Sequence, residues 1–134
     1  MTKKQITQMS YEIIGLAIKV HKHLGPGLLE SIYEKCLTYE LSKNGFKVES
    51  QKKVSIYYDE IEFDSDMRLD LLVNDCIILE LKSVSQLLPI HEAQILSYMK
   101  LLKKPQGLLI NFNSTRLTNS TKPLVNEYFN LLKD

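Results

Sequence analysis

The sequence predicts a mixed α/β (α+β) fold in which one mixed sheet is flanked by helices. Three observations predict it. Apolar residues recur at three- and four-residue spacing at the start of the chain, at two-residue spacing from about residue 47, and at helical spacing again after Pro89. The elements run in the order ααβββαβα, which suits a single sheet covered by helical layers.

Ile6, Met9, Ile13, Ala17, Val20 and Leu24 form the stripe of a first helix over residues 6–24, which Gly25-Pro26-Gly27 stops. Leu28, Leu29, Ile32, Tyr33, Cys36, Leu37 and Leu41 supply the apolar face of a second, ended by Asn44-Gly45, and the two should pack as a hairpin. From Lys47 the period becomes two. Val54, Ile56 and Tyr58 alternate with polar residues, and Asp59-Glu60 supplies a turn. Met67, Leu69, Leu71 and Val73 then line one face of a strand, with Arg68, Asp70 and Leu72 on the other. Cys76–Val84, CIILELKSV, is apolar on both sides of its two charges, as a central strand should be. Pro89 opens a helix that runs to about Leu102 through Ile90, Ala93, Tyr98 and Leu101. Gly107–Phe112 is a short buried strand, and Lys122–Lys133 reads as a closing helix on Leu124, Val125, Tyr128, Leu131 and Leu132.

With 134 residues the chain suits one domain, 1–134, large enough to bury a core without disulfides. Its 17 Lys and Arg against 16 Asp and Glu leave a net charge of +1, so no global field draws it to nucleic acid or membrane. An anionic partner must be held by a local patch. Cys36 and Cys76 form no CxxC pair and have no His at metal-ligand spacing, which reads as core thiols in a reducing compartment. The segment MTKKQITQMSYE turns polar where a secretory signal is apolar, and no apolar run approaches the roughly 20 residues of a membrane helix. The expectation is a cytoplasmic protein with no membrane contact.

The chemistry concentrates on the two middle strands. If Asn74-Asp75-Cys76 is a three-residue loop, Val73 pairs with Ile77 and Asp70 falls opposite Glu80; a two-residue loop would put the carboxylates on opposite faces. Facing carboxylates have Cβ atoms about 4.5–5.5 Å apart, close enough to share one cation, and Lys82 points to the same side. Oxygen ligands of this kind suit Mg²⁺, with Mn²⁺ as its substitute, and such an ion can activate water against a phosphodiester. A structural Glu80–Lys82 ion pair, with Asp70 paired to Arg68, is the alternative reading. On the following helix Gln94 and Tyr98 are four apart, so they share a face, and His91 lies one turn earlier. Gln94 there could hold a water or a phosphate oxygen; His91 alone reads more simply as a polar residue at a helix start.

Gly27-Leu28-Leu29-Glu30-Ser31-Ile32-Tyr33 matches G-x-x-E-x-x-Y, and it is followed in order by Arg68-x-Asp70, Glu80-x-Lys82, His91-Glu92-x-Gln94 and Gly107-Leu-Leu-Ile-Asn-Phe112. In these motifs, over about residues 11–128, the chain resembles the GxxExxY family of the PD-(D/E)XK nuclease superfamily. The resemblance implies a restriction-endonuclease-like αβββαβ core and a Mg²⁺-dependent nuclease acting on nucleic acid, DNA before RNA. It implies that Asp70, Glu80 and Lys82 are the catalytic signature, that Glu30 is an additional acidic ligand, and that Gln94 and Tyr98 form a supporting Gln-x-x-x-Tyr pair. Leu69 stands where the superfamily name has Pro. Tyr33 reads as a packing and hydrogen-bonding residue, and Arg68 and His91 as possible supports. A catalytically weak nucleic-acid-binding or accessory module on the same fold is the competing expectation, and the oligomeric state is open, a homodimer included.

Overall fold

The computed structural model describes residues 1–134. Two helices come first, α1 (Lys3–Leu24) and α2 (Glu30–Lys43). Strands β1 (Val48–Lys53), β2 (Ile56–Tyr58), β3 (Ile61–Phe63), β4 (Arg68–Val73) and β5 (Ile77–Lys82) follow. Helix α3 (Pro89–Leu102), strand β6 (Gln106–Asn111), a 3-10 turn (Leu117–Ser120), strand β7 (Thr121–Val125) and the short helix α4 (Glu127–Asn130) complete the chain. Five strands make one sheet in the order β1-β4-β5-β6-β7, while β2 and β3 pair only with each other. β5 and β6 run parallel, joined by the α3 crossover, and the other neighbours are antiparallel. This is the mixed sheet between helices that a restriction-endonuclease-like fold requires.

Parity along the strands decides which layer each side chain joins. Leu71, Val73, Ile77, Leu79, Leu108 and Ile110 point toward α1 and α2, where Ile6, Ile13, Ala17, Tyr33, Leu37 and Leu41 meet them. Leu72, Ile78 and Leu109 point the other way, against Ile95, Tyr98 and Met99 of α3. Glu80 and Lys82 share the parity of Ile78 and lie on the α3 face, whereas the expected single face of Met67, Leu69, Leu71 and Val73 is not kept: Leu69 and Met67 pack with Leu72 and not with Leu71, so the alternation breaks at Asp70, beside the left-handed Gln51 of β1. Gly107 lets α3 approach closely: a Cβ there would come within 2.8 Å of both Ile95 Cδ1 and Met99 Sδ.

Four expectations need correction. The single strand expected from Lys47 through Val54, Ile56 and Tyr58 is divided between β1, which ends at Lys53, and the separate β2–β3 hairpin, so five strands and not three precede α3. The closing helix over Lys122–Lys133 is strand β7 followed by the four-residue α4, which Asn126 caps through its side chain. Pro123 has no N–H for a helical ladder but is tolerated on an edge strand, and the free edge of β6 supplies the pairing. Helix α2 starts at Glu30 and buries only Tyr33, Leu37 and Leu41, so Leu28, Leu29 and Ile32 are exposed. In α3 the buried residues are Ile95, Tyr98 and Met99, whereas Ile90 and Ala93 face out. The turn at Asp59-Glu60 forms as expected, both residues at positive φ, and closes the β2–β3 hairpin. No helix is long and apolar enough to cross a membrane.

Candidate active site

The β4–β5 hairpin has the odd register that the site requires. Val73 pairs with Ile77, Leu72 with Ile78 and Leu71 with Leu79, so the next position outward sets Asp70 opposite Glu80. The turn itself is tight, with Asn74 and Asp75 both left-handed (φ 49° and 57°) and the Cys76 N–H donating to Val73 O at 3.1 Å. Cys76 is the extra residue that shifts the pairing. Asn74 also ties this turn to β1, accepting from Lys47 N at 2.8 Å.

Asp70 sits where β4 and β5 separate. Its Oδ2 accepts the Leu81 N–H at 2.8 Å, standing in for a ladder bond and aiming the carboxylate toward β5. Glu80 is buried in the middle of the sheet, 4% exposed, and its Oε1 has no hydrogen-bond partner. Loss of solvent, reinforced by the Asp70 charge, pushes the Glu80 carboxyl up to about 9, so at neutral pH the carboxyl pair holds a proton. Lys82 is half-buried and forms no ion pair with Glu80; the chain's six ion pairs involve neither residue, nor Asp70 with Arg68. The structural ion-pair alternative is therefore absent from this structure. The strand end carrying Lys82 is held from β6, by Phe112 N donating to Lys82 O at 2.8 Å and by Asn111 bonding both N and O of Val84.

Helix α3 lays Tyr98 over the same face. Gln94 Nε2 donates to the Tyr98 hydroxyl at 3.2 Å, and burial, with the Glu80 charge next in weight, raises the Tyr98 phenol above its ordinary value. His91 Nδ1 accepts the Leu88 N–H at 3.0 Å and so caps the start of α3. Arg68 turns outward and donates to Gln51 O at 3.2 Å.

The G-x-x-E-x-x-Y stretch has a physical explanation. Gly27 takes φ 96°, which a side chain would strain, and the chain then enters α2. Tyr33 is fully buried, stacks on Phe112 with ring centroids 4.4 Å apart, donates to Gly25 O at 2.6 Å and accepts from Leu28 N at 3.2 Å. The glycine turn and the tyrosine clamp together fix the start of α2. There Glu30 faces a polar cleft of about 120 Å³ lined by Glu30, Ser31, Glu34, Gln51 and Asp70. Glu30 of α2 and Asp70 therefore share one cleft, at the point where the alternation along β4 breaks.

Two residues of this cleft escape the sequence reading. Glu34 is one helical turn beyond Glu30, and its carboxyl is raised chiefly by burial, with Asp70 and Glu30 adding to it and the Gln51 hydrogen bond opposing. Gln51 lies opposite Asp70 in β1, at a left-handed φ of 53° that interrupts the ladder. Its amide reaches Glu34 Oε1 at 2.7 Å and Asp70 Oδ1 at 3.5 Å. The available signal was the i, i+4 spacing of Glu30 and Glu34; nothing in the sequence marks Gln51 as left-handed.

These residues fit a divalent cation in donor chemistry. Hard carboxylate oxygens lie close together, one is buried and unpartnered, and a bound cation would offset the burial, and after it the Asp70 charge, that keep a proton on the pair. No three His, Cys, Asp or Glu side chains converge as a ready-made ligand cluster, so the pair would need water or substrate oxygens to complete a coordination shell.

A five-stranded mixed sheet flanked by helices, with Asp70 and the buried Glu80 close together on adjacent strands, is the architecture of a restriction-endonuclease-like fold. The family model of the PD-(D/E)XK nuclease superfamily matches residues 7–123, and the chain belongs to that superfamily. Its members are typically nucleases that use divalent metals, so nucleic acid is the substrate class that membership implies. Searches of curated proteins and of solved structures gave no match.

Proposed function

We propose that the chain is a divalent-metal-dependent nuclease of the GxxExxY type, a single domain over 1–134, with Mg²⁺ as its ion, Mn²⁺ as a substitute and DNA as its substrate. The observation that carries this is the Asp70–Glu80 pair, whose buried, unpartnered oxygen sits beside a lysine that no carboxylate neutralises. Asp70 and Glu80 would hold the ion, with Glu30 contributing from the cleft. A divalent ion supplies Lewis-acid charge to a phosphoryl oxygen. The protein's part is to place Lys82 against charge developing on the phosphoryl group and to orient water through Gln94, itself braced by Tyr98. Two free thiols support a reducing, cytoplasmic setting.

The test is cleavage of linear DNA and RNA with Mg²⁺ or Mn²⁺, alongside calorimetric Mn²⁺ binding. Glu80→Ala and Lys82→Ala are each expected to lower cleavage at least about 1000-fold, and Glu80→Ala, but not Lys82→Ala, to abolish Mn²⁺ binding. Unchanged cleavage in both variants overturns the assignment.

A further inference from the structure

The loop that follows β6 carries a charge that the chain leaves unneutralised. Arg116 is exposed, pairs with no carboxylate, and stands with Lys22 of α1 at a hollow of about 270 Å³. Buried His21 and Leu117 floor this hollow, and the exposed Thr115 and Thr118 complete its rim. No Asp or Glu lines it. Lys22, equally unpaired, needs no ligand by itself, because a cation in the last turn of α1 meets the negative end of the helix dipole. Arg116 comes from another element and sets a second positive charge beside it.

The loop that presents Arg116 is held in place from several sides. His21 Nε2 donates to Ser114 O at 2.8 Å, Ser120 Oγ donates to Asn111 O at 2.6 Å, and Thr121 Oγ1 donates to Leu117 O at 2.8 Å. Such a loop loses little freedom when a ligand arrives. A guanidinium, an ammonium and two hydroxyls without a carboxylate suit an oxyanion of the phosphate type, to which arginine offers paired donors. The place of the hollow in the fold selects the source of that phosphate. Lys82 pairs with Asn111, and Phe112 N donates to Lys82 O at 2.8 Å, so the loop leaves the sheet at the same end as Lys82. The segments that meet at this end, Ile13–Leu29, Leu81–His91 and Ala93–Asn126, contain no Asp or Glu.

We propose that this hollow binds a backbone phosphate of the nucleic-acid strand whose reacting phosphate lies at Lys82. The reach is short enough: neighbouring strands lie about 4.8 Å apart, and the five residues from Asn111 to Arg116 span at most about 18 Å. Phosphates recur about every 3.4 Å along each strand of a duplex, so one strand covers both points within about seven nucleotides. With a net charge of only +1 the chain has no global field to hold DNA, and an acid-free surface ending in two unpaired cations supplies a local one. The proposal rests on the nuclease reading for the identity of the ligand.

Fluorescence anisotropy of labelled single-stranded and duplex DNA, without divalent ions, reads binding apart from cleavage. Lys22→Ala and Arg116→Ala, both at exposed positions where the fold should survive, are each expected to weaken binding at least about 5-fold. Each should also lower the slope of log affinity against log salt by about 0.7–0.9, the value of one lost phosphate contact. Lys43→Ala removes one charge at the far end of α2 and should change neither quantity. Affinity of the parent should rise with oligonucleotide length up to about seven nucleotides, and the double variant Lys22→Ala/Arg116→Ala should lose the last part of that rise. Parent-like affinity and salt slope in both single variants, an equal effect of Lys43→Ala, or a loss confined to inorganic phosphate overturns the proposal. Failure of the nuclease reading looks different: Glu80→Ala then cleaves as the parent does, while the Lys22 and Arg116 variants still lose DNA binding.

Discussion

Glu80 is a carboxyl group that the fold buries before anything neutralises it, and its stability cost has a definite sign. Below pH 4.5, its ordinary value, the group is protonated whether the chain is folded or not. Between there and about 9 the folded chain keeps a proton that the unfolded chain has released, so stability falls as pH rises across this window. Urea titrations of the metal-free protein should show that decline, at no more than about 1.4 kcal/mol per pH unit from this one proton. Glu80→Gln should flatten it and be the more stable protein at pH 8; an equal slope in both proteins would show that Glu80 is not the group responsible. Gln51 poses the complementary case, since a non-glycine side chain at φ 53° is strained while its amide links Glu34 to Asp70. Gln51→Gly removes strain and amide together. We expect stability within about 1 kcal/mol of the parent and cleavage lowered at least about 10-fold; a parallel loss of both would make Gln51 a structural residue only. The register that brings Asp70 close to Glu80 was legible in the sequence because the length of the Asn74–Cys76 loop sets the pairing of β4 with β5. Gln51 was not, because a left-handed residue inside a strand pattern leaves no mark on composition.

At the scale of elements, the G-x-x-E-x-x-Y stretch works as a joint. Its tyrosine satisfies a backbone donor and a backbone acceptor in the turn before α2, while its ring stacks on Phe112 at the end of β6. Tyr33→Phe keeps the stack and loses both hydrogen bonds, so a cost of about 1–2 kcal/mol is expected in a denaturant melt, with a matching loss of protection in hydrogen exchange at Leu28. Loss of less than a few tenths would mean that solvent replaces the hydroxyl. The long helices were legible for different reasons: α1 carries its own periodicity and stop signal, whereas α3 was bounded by Pro89 and by Lys103-Lys104-Pro105 although its apolar face was not the expected one. The C-terminal segment misled because Leu124, Val125, Tyr128, Leu131 and Leu132 fall at helical spacing, yet Lys122 to Leu124 lie against an open strand edge. Pairing with β6 outweighs an intrinsic preference that Pro123 already weakens.

For the whole molecule, the arrangement of charge matters more than its total. A net charge of +1 conceals a stretch from Val54 to Met67 with acids and no Lys or Arg, and an acidic cleft beside Asp70. If the cleft and the Asp70–Glu80 pair receive a divalent ion, binding to the folded chain alone must stabilise it. Mn²⁺ at 100 times its dissociation constant should add about 2.7 kcal/mol, read as a shift in the urea midpoint, and should add nothing to Glu80→Gln. An equal shift in that variant would place the ion elsewhere.

The amino-acid sequence by itself determined the stripe of α1, the bounds of α3, the register of β4 with β5 and the superfamily motifs, because each of these depends on spacing along one or two adjacent segments. Only the tertiary structure decided that α2 brings Glu30 and Glu34 into one cleft with Asp70, that Gln51 joins them, and that Thr121–Val125 pair as a strand. Those outcomes depend on contacts between segments far apart in the chain and on a sheet edge that exists only once the other strands have assembled.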